Sequence, residues 1–135
     1  MKKVLVIDGQ GGRIGALIVS EIKKRYPSLE VMAVGTNAMA TAAMLKAGAD
    51  HGATGENPVV VASKKADVIV GPTGMVIADA LLGEVTEKMA AAVGKSDAPK
   101  ILIPINKCNT VVVGVEDKTA AEYASMAVEK IREYL

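Results

Sequence analysis

Apolar residues along the chain fall into two alternating rhythms, short continuous runs and longer stretches with three- and four-residue steps, which together predict strands followed by helices. Val4-Leu5-Val6-Ile7 is a largely β-branched run ending in Asp8-Gly9, the pattern of a strand buried on both faces of a parallel sheet. Ile14, Leu17, Ile18 and Ile22 then repeat at helical spacing, with Ser20, Lys23 and Lys24 facing away, until Pro27 stops the helix. Leu29 to Val34 predicts a second strand ending in Gly35-Thr36-Asn37. Asn37 caps the next helix, which runs through Met44 to a glycine stop at Gly48. A short third strand fits within 49–56, and Asn57-Pro58 reads as an N-cap with a first-turn proline opening a helix to about Ala66.

Asp67 to Gly71 predicts the next strand. Pro72-Thr73-Gly74 turns the chain into a helix from Met75 to Leu82, and Gly83 breaks it before another from about Val85 to Val93. Lys100 to Ile105 is the next buried strand. Only Asn106-Lys107-Cys108-Asn109 separates it from Thr110 to Val115, too short a link for a helical crossover, so that pair is expected to form an antiparallel hairpin at the sheet edge. Thr119-x-x-Glu122 is a capping box, and Ala121, Ala124, Val128, Ile131 and Leu135 form the stripe of a last helix. The expected fold is α/β: a three-layer, Rossmann-like, mostly parallel sheet with an antiparallel edge hairpin, one nucleotide-binding domain over 1–135.

Composition narrows the function. The 135 residues are 50% hydrophobic and 23% charged, with a net charge of +1. No basic excess is left to neutralise phosphate runs, and with no Trp or Phe almost nothing can stack on bases, so nucleic acid is excluded as a partner. No apolar run approaches the roughly 18 residues that span a bilayer, and Met1-Lys2-Lys3 leads straight into a strand with no signal-cleavage site; a cytoplasmic protein is expected. One cysteine and one histidine make neither an internal disulfide nor a metal set. The helices Ala38–Ala47 and Met75–Leu82 are apolar over most of their circumference, more than one sheet face covers, which points to a homodimer or larger homo-oligomer.

The chemistry concentrates in the strand-to-helix turn Asp8-Gly9-Gln10-Gly11-Gly12-Arg13-Ile14-Gly15. A phosphate at a helix N-terminus meets unpaired amides and the positive end of the helix dipole, and glycines let it approach. Two readings stand: a phosphate cradle with Arg13 adding a charge-assisted contact, or a tight turn that lets helix and sheet pack closely. This stretch, including Gly12-Arg13-x-Gly15, resembles the Gly-x-x-Gly-x-x-Gly turn of dihydrodipicolinate reductase over roughly the first 25 residues. The resemblance implies a nicotinamide cofactor, NAD(P), with its pyrophosphate on Gly9, Gly12 and Gly15. The second strand ends without the ribose-binding acid of NAD sites, which fits NADP better, and the chain has no room for that reductase's separate substrate domain.

The other carboxyl-end loops are expected to converge on the same edge: Asp8, Thr36, Asn37, Thr73 and the Asn106–Asn109 turn, either as a recognition site or as ordinary cap and turn residues. The candidate cofactor-binding set is thus Gly9, Gln10, Gly11, Gly12, Arg13, Ile14, Gly15, Thr36, Asn37 and Thr73. Lys107, Cys108 and Asp79 are the candidates for catalysis in a small enzyme acting on a phosphorylated or carboxylated metabolite. Cys108 is alternatively an inert, half-buried thiol, and Asp79, the sole polar side chain of its apolar stretch, faces either the ligand edge or a subunit boundary. His51 beside Asp50 is either an acid–base pair or a surface histidine. Over its whole length, through Asp8-Gly9-Gln10-Gly11-Gly12, Gly35-Thr36-Asn37-Ala38, Ala53-Thr54-Gly55-Glu56-Asn57, Ala78 to Glu84 and Ile103 to Asn109, the sequence is similar to a family of short bacterial proteins known only as a domain of unknown function. That resemblance implies a complete chain and supplies no activity; a regulatory or scaffold subunit is the third reading.

Overall fold

Five short apolar runs become the strands of one parallel sheet in the computed structural model of the chain, which describes residues 2–105 and 109–135. In chain order they are β1 (Lys3–Asp8), β2 (Glu30–Gly35), β3 (His51–Thr54), β4 (Val68–Pro72) and β5 (Lys100–Ile103), arranged β3-β2-β1-β4-β5. Every neighbouring pair is parallel. Parallel neighbours need long crossovers, which contain α1 (Arg13–Arg25), α2 (Ala38–Lys46), α3 (Glu56–Lys65) and α4 (Glu87–Lys95); α5 (Ala120–Ile131) follows the last strand.

Strand alternation divides the core. Val4, Val6, Val31, Ala33, Val68 and Val70 face α1, α2 and α5, where they meet Ile18, Ile22, Met44, Val128 and Ile131. Leu5, Ile7, Val34 and Ile69 point the other way, onto Val59 of α3 and Met89 and Val93 of α4. Val4 to Ile7 is buried on both sides as its β-branched run predicts. Local signals hold too: the Asn37 side chain accepts from the Ala40 amide, and Thr119 and Glu122 form the reciprocal capping box. The start of α3 shifts by two residues, with Gly55 as N-cap, so that Pro58 sits in the first turn, where an amide has no intrahelical acceptor to lose.

Two expected elements are absent among the described residues. Met75–Leu82 is not a helix: a 3-10 turn, Thr73–Val76, leads into linked turns in which Asp79, Leu81, Leu82 and Gly83 all have positive φ. Its buried apolar residues are Met75, Ala80 and Val85, spaced in fives, so the apparent stripe consists of side chains sunk singly into the α3–α4 side, while Leu82 is 95% exposed. Nor is Thr110–Val115 an edge strand. β5 ends at Ile103 beside Pro104, which has no amide to donate, and Val111 and Val113 stand 77% and 94% exposed. The sheet is therefore wholly parallel. The α2 helix gives its Ala40, Thr41 and Met44 face to the core and leaves Met39 and Leu45 outside.

Because Ile22 is fully buried between α1 and the sheet, Ile22→Ala is expected to lower unfolding free energy by about 3 kcal/mol in a urea titration. Met44, also fully buried, is a core position; Met44→Glu should abolish cooperative unfolding, whereas an interface position would yield a folded monomer.

Candidate functional site

From β1 the chain winds outward through β2 to β3, then crosses over to β4 on the other side of β1. The loops leaving the carboxyl ends of β1 and β4 therefore diverge, the arrangement that opens a ligand crevice in parallel α/β sheets. A crevice of about 200 Å³ lies there, lined by Asp8 to Ile14 with Pro72, Gly74, Leu81 and Ile105. A larger hollow of about 410 Å³ lies among Lys3, Glu30, Met32, His51 and α3 residues, away from the glycine loop.

The loop is shaped by its own glycines. Gly12 has φ 75° and its amide donates to the Gly9 carbonyl at 2.9 Å; a Cβ there would meet the Ala40 backbone at 2.7 Å, so α2 packs directly on it. Gly9 and Gly15 are likewise covered, by Leu81 and Thr36 and by Met44 and Asp8. Gly11 differs: it is exposed, and a Cβ would meet nothing within 4 Å. Of the glycines aligned with a pyrophosphate turn, the three at three-residue steps thus serve internal packing, and Gly11 is the one open to approach.

Two carboxylates organise the donors. Buried Asp8 accepts from the Gly9 amide at 2.8 Å and from the Gly15 amide at 2.6 Å, capping the first turn of α1 from the strand before it. Burial pushes the Asp8 carboxyl above the usual aspartate range, against those amide bonds and with a further push from the Glu84 charge. Glu84, reaching over from the 77–85 turns, accepts at one oxygen, Oε1, from the Gln10 amide at 2.9 Å, the Thr36 hydroxyl at 2.6 Å and the Asn37 side-chain amide at 2.8 Å. Burial works against its ionised form, but the bonds from Thr36, Gln10 and Asn37 outweigh it and hold Glu84 below the usual glutamate range. The amides of Gly11 and Arg13 and the exposed Arg13 guanidinium have no acceptor among the described residues.

The expected set is thus only partly assembled. Gly9 to Ile14 line the crevice and Gly15 is buried against Met44 and Asp8, while Thr36 and Asn37 join the loop through Glu84. Thr73 splices the sheet instead: its hydroxyl donates to the Ile103 carbonyl and accepts from the Ile105 amide, both at 3.0 Å. Asp79 is exposed on a left-handed turn, not buried in an apolar helix. His51 begins β3 at the opposite end of that strand and faces Glu30 at 3.3 Å, while Asp50 is taken by Lys23 at 2.6 Å, so the two form no acid–base pair at the site. Asn106, Lys107 and Cys108 lie outside the described residues. Sequence reasoning missed Glu84, which no local signal marks: its partner Gln10 is 74 residues away.

In a carbon-13 titration Asp8 should show a midpoint above that of an ordinary aspartate, and Glu84→Gln should lower it by removing the neighbouring charge. The sign carries to stability. With the folded value raised, the Asp8 contribution is full below the ordinary aspartate value and is lost as pH rises through the raised one, read as the pH-dependent difference between wild type and Asp8→Asn.

Among solved structures, the chain is similar to a dodecameric FMN-dependent Ubix-like decarboxylase from Escherichia coli O157:H7, with 16% identity over 98% of this chain and 76% of that chain and a TM-score of 0.49. None of the curated proteins matches it. A family profile covers residues 3–135, and the chain belongs to that family, described as Domain of unknown function (DUF3842).

Proposed function

We propose that this domain, 1–135, binds a phosphate-bearing nucleotide in the crevice between the β1 and β4 loops, with a phosphoryl group on the amides of Gly11 and Arg13 and the Arg13 guanidinium pairing with it. The observation that carries the reading is the coincidence of these donors, all without an acceptor among the described residues, at the positive end of α1 and on the rim of the switch-point crevice. Asp8 and Glu84 leave these donors free, Asp8 taking the amides of Gly9 and Gly15 and Glu84 that of Gln10. At about 200 Å³ the crevice takes a phosphate and an adjoining sugar; ligands of drug size fill about 300–1,000 Å³. NAD(P), the cofactor implied by the glycine-loop resemblance, therefore binds only with more room than the 77–85 turns now leave. The rival metabolite-acting enzyme loses Asp79 to solvent and rests on Lys107 and Cys108.

Gly11 gives a clean test, since its φ and surroundings tolerate a side chain. Gly11→Leu should leave unfolding free energy within about 0.5 kcal/mol of wild type. Calorimetric titration with NAD, NADP, FMN, ATP and coenzyme A should find at least one ligand for the wild type, and Gly11→Leu and Arg13→Ala should each weaken it by about tenfold or more. Failure of all five ligands, or binding indifferent to both substitutions, overturns the reading.

We also propose a homo-oligomer, in the cytoplasm, joined through the outer face of α2, where Met39 is 69% and Leu45 42% exposed. Among the described residues no helix is long and apolar enough to cross a membrane. Wild type should sediment above monomer mass at micromolar concentration and Met39→Lys as a folded monomer; a monomeric wild type refutes the assembly.

A further inference from the structure

Three donors on the β2 side of the glycine loop are spent on one internal anion. The Gln10 amide, the Thr36 hydroxyl and the Asn37 side-chain amide converge on Oε1 of Glu84, and Asn37 also donates to the Gln10 carbonyl at 2.9 Å, which fixes its orientation. Three donors from two different loops gathered on one carboxylate oxygen make an anion receptor, and Glu84 shows that it accepts an anion.

The segment bringing Glu84 there is built as a separate flap. Its base is closed by the Asp79 amide on the Val85 carbonyl at 2.7 Å and the Val85 amide on the Ala80 carbonyl at 3.1 Å, with Ala80 and Val85 buried in the core. Beyond that base, the Gly83 amide donates to the Asp79 carbonyl and the Glu84 amide to the Leu81 carbonyl. Leu81 and Leu82 hold φ of 56° and 57°, a strained state for residues with a Cβ, and Leu82 is 95% exposed, contributing little packing to offset it. The tip packs on the glycine loop, where Leu81 lies over Gly9 and Glu84 occupies the receptor, and Leu81 also meets Gly74 and the edge of the α3–α4 core. The tip also stands between the crevice, which Leu81 lines, and Thr36 and Asn37 beyond it.

We infer that residues 81–84 are a gate, and that the Glu84 carboxylate is an internal occupant which a ligand carrying two linked phosphoryl groups displaces, one group resting at Gly11 and Arg13 and the other taking the receptor of Gln10, Thr36 and Asn37. The inference rests on the function proposed above and adds the ligand class, a diphosphate, and a regulated step, opening of the flap about Ala80 and Val85. The low-lying Glu84 carboxyl is consistent with it, since the occupant stays ionised and competes as an anion.

Inorganic orthophosphate and pyrophosphate, titrated calorimetrically into the full chain, separate the two subsites. Glu84→Ala should tighten pyrophosphate by about tenfold while leaving orthophosphate within about twofold of wild type, and Glu84→Gln, which keeps an acceptor for the three donors, should fall between. Hydrogen exchange on the wild type gives a reading that needs no variant: pyrophosphate should speed exchange of the Gly83 and Glu84 amides and leave the Gln10 amide protected. Orthophosphate binding lost in Arg13→Ala, together with pyrophosphate binding unchanged or weakened in Glu84→Ala, or in Glu84→Gln should the alanine variant not fold, overturns the gate alone. So does a bound pyrophosphate that leaves exchange at Gly83 and Glu84 unaltered. A chain, wild type or Glu84→Ala, that binds neither orthophosphate nor pyrophosphate nor any nucleotide overturns the proposed function and the gate with it.

Discussion

The Asp8 carboxylate holds the end of β1 to the first turn of α1 through the amides of Gly9 and Gly15, and the rest of the site depends on that clamp. A buried amide without an acceptor costs about 1–3 kcal/mol, so one side chain that serves two of them fixes the intervening residues as a rigid loop. With its ends pinned, the loop turns through Gln10 and Gly12, both at positive φ, and directs the Gln10 amide away from Asp8 toward Glu84. Close approach by α2 at Gly12 and by Leu81 at Gly9 then seals it on two sides. What stays open is the side carrying Gly11 and Arg13.

Charge explains why this loop differs from a bare phosphate cradle. Two carboxylates converge on it, and the Glu84 charge is among the causes that push Asp8 upward. Their amide and hydroxyl bonds stabilise both groups in place, so the anion-binding capacity of the loop is used internally at two points and remains available at a third. A loop able to satisfy two internal carboxylates has the donor geometry for anions whether they are its own or a ligand's.

Much of the architecture was legible because its signals are local. The Val4–Ile7 run, the Asn37 cap and the Thr119–Glu122 box each state their structure within a few residues, and the structure has each where the sequence puts it. The two elements that differ share one cause: a run of apolar residues fixes neither helix nor strand without a periodic face to bury. Met75, Ala80 and Val85 are buried from irregular turns, and Val111 and Val113 look like strand residues yet face solvent, with no strand after β5 among the described residues. The site was legible at the glycine loop, whose strand–turn–helix context is written in the sequence, and at Thr36 and Asn37, which the parallel order brings to the same edge. Glu84 was not, because nothing near Leu81-Leu82-Gly83 announces a left-handed path whose end lands on Gln10, Thr36 and Asn37.

The glycines themselves show how a motif misleads and informs at once. Spacing singles out Gly9, Gly12 and Gly15 as ligand contacts, and these are the glycines of the loop whose missing Cβ protein atoms crowd. A glycine that admits a helix or a leucine cannot also admit a phosphate at the same point, so the motif residues serve the fold. The same packing, however, presses α2 and the 77–85 turns against one flank of the loop and thereby leaves the opposite flank, at Gly11 and Arg13, facing the crevice between β1 and β4. The open donors thus sit beside the motif: the regular glycines build the loop, and the irregular one is left exposed.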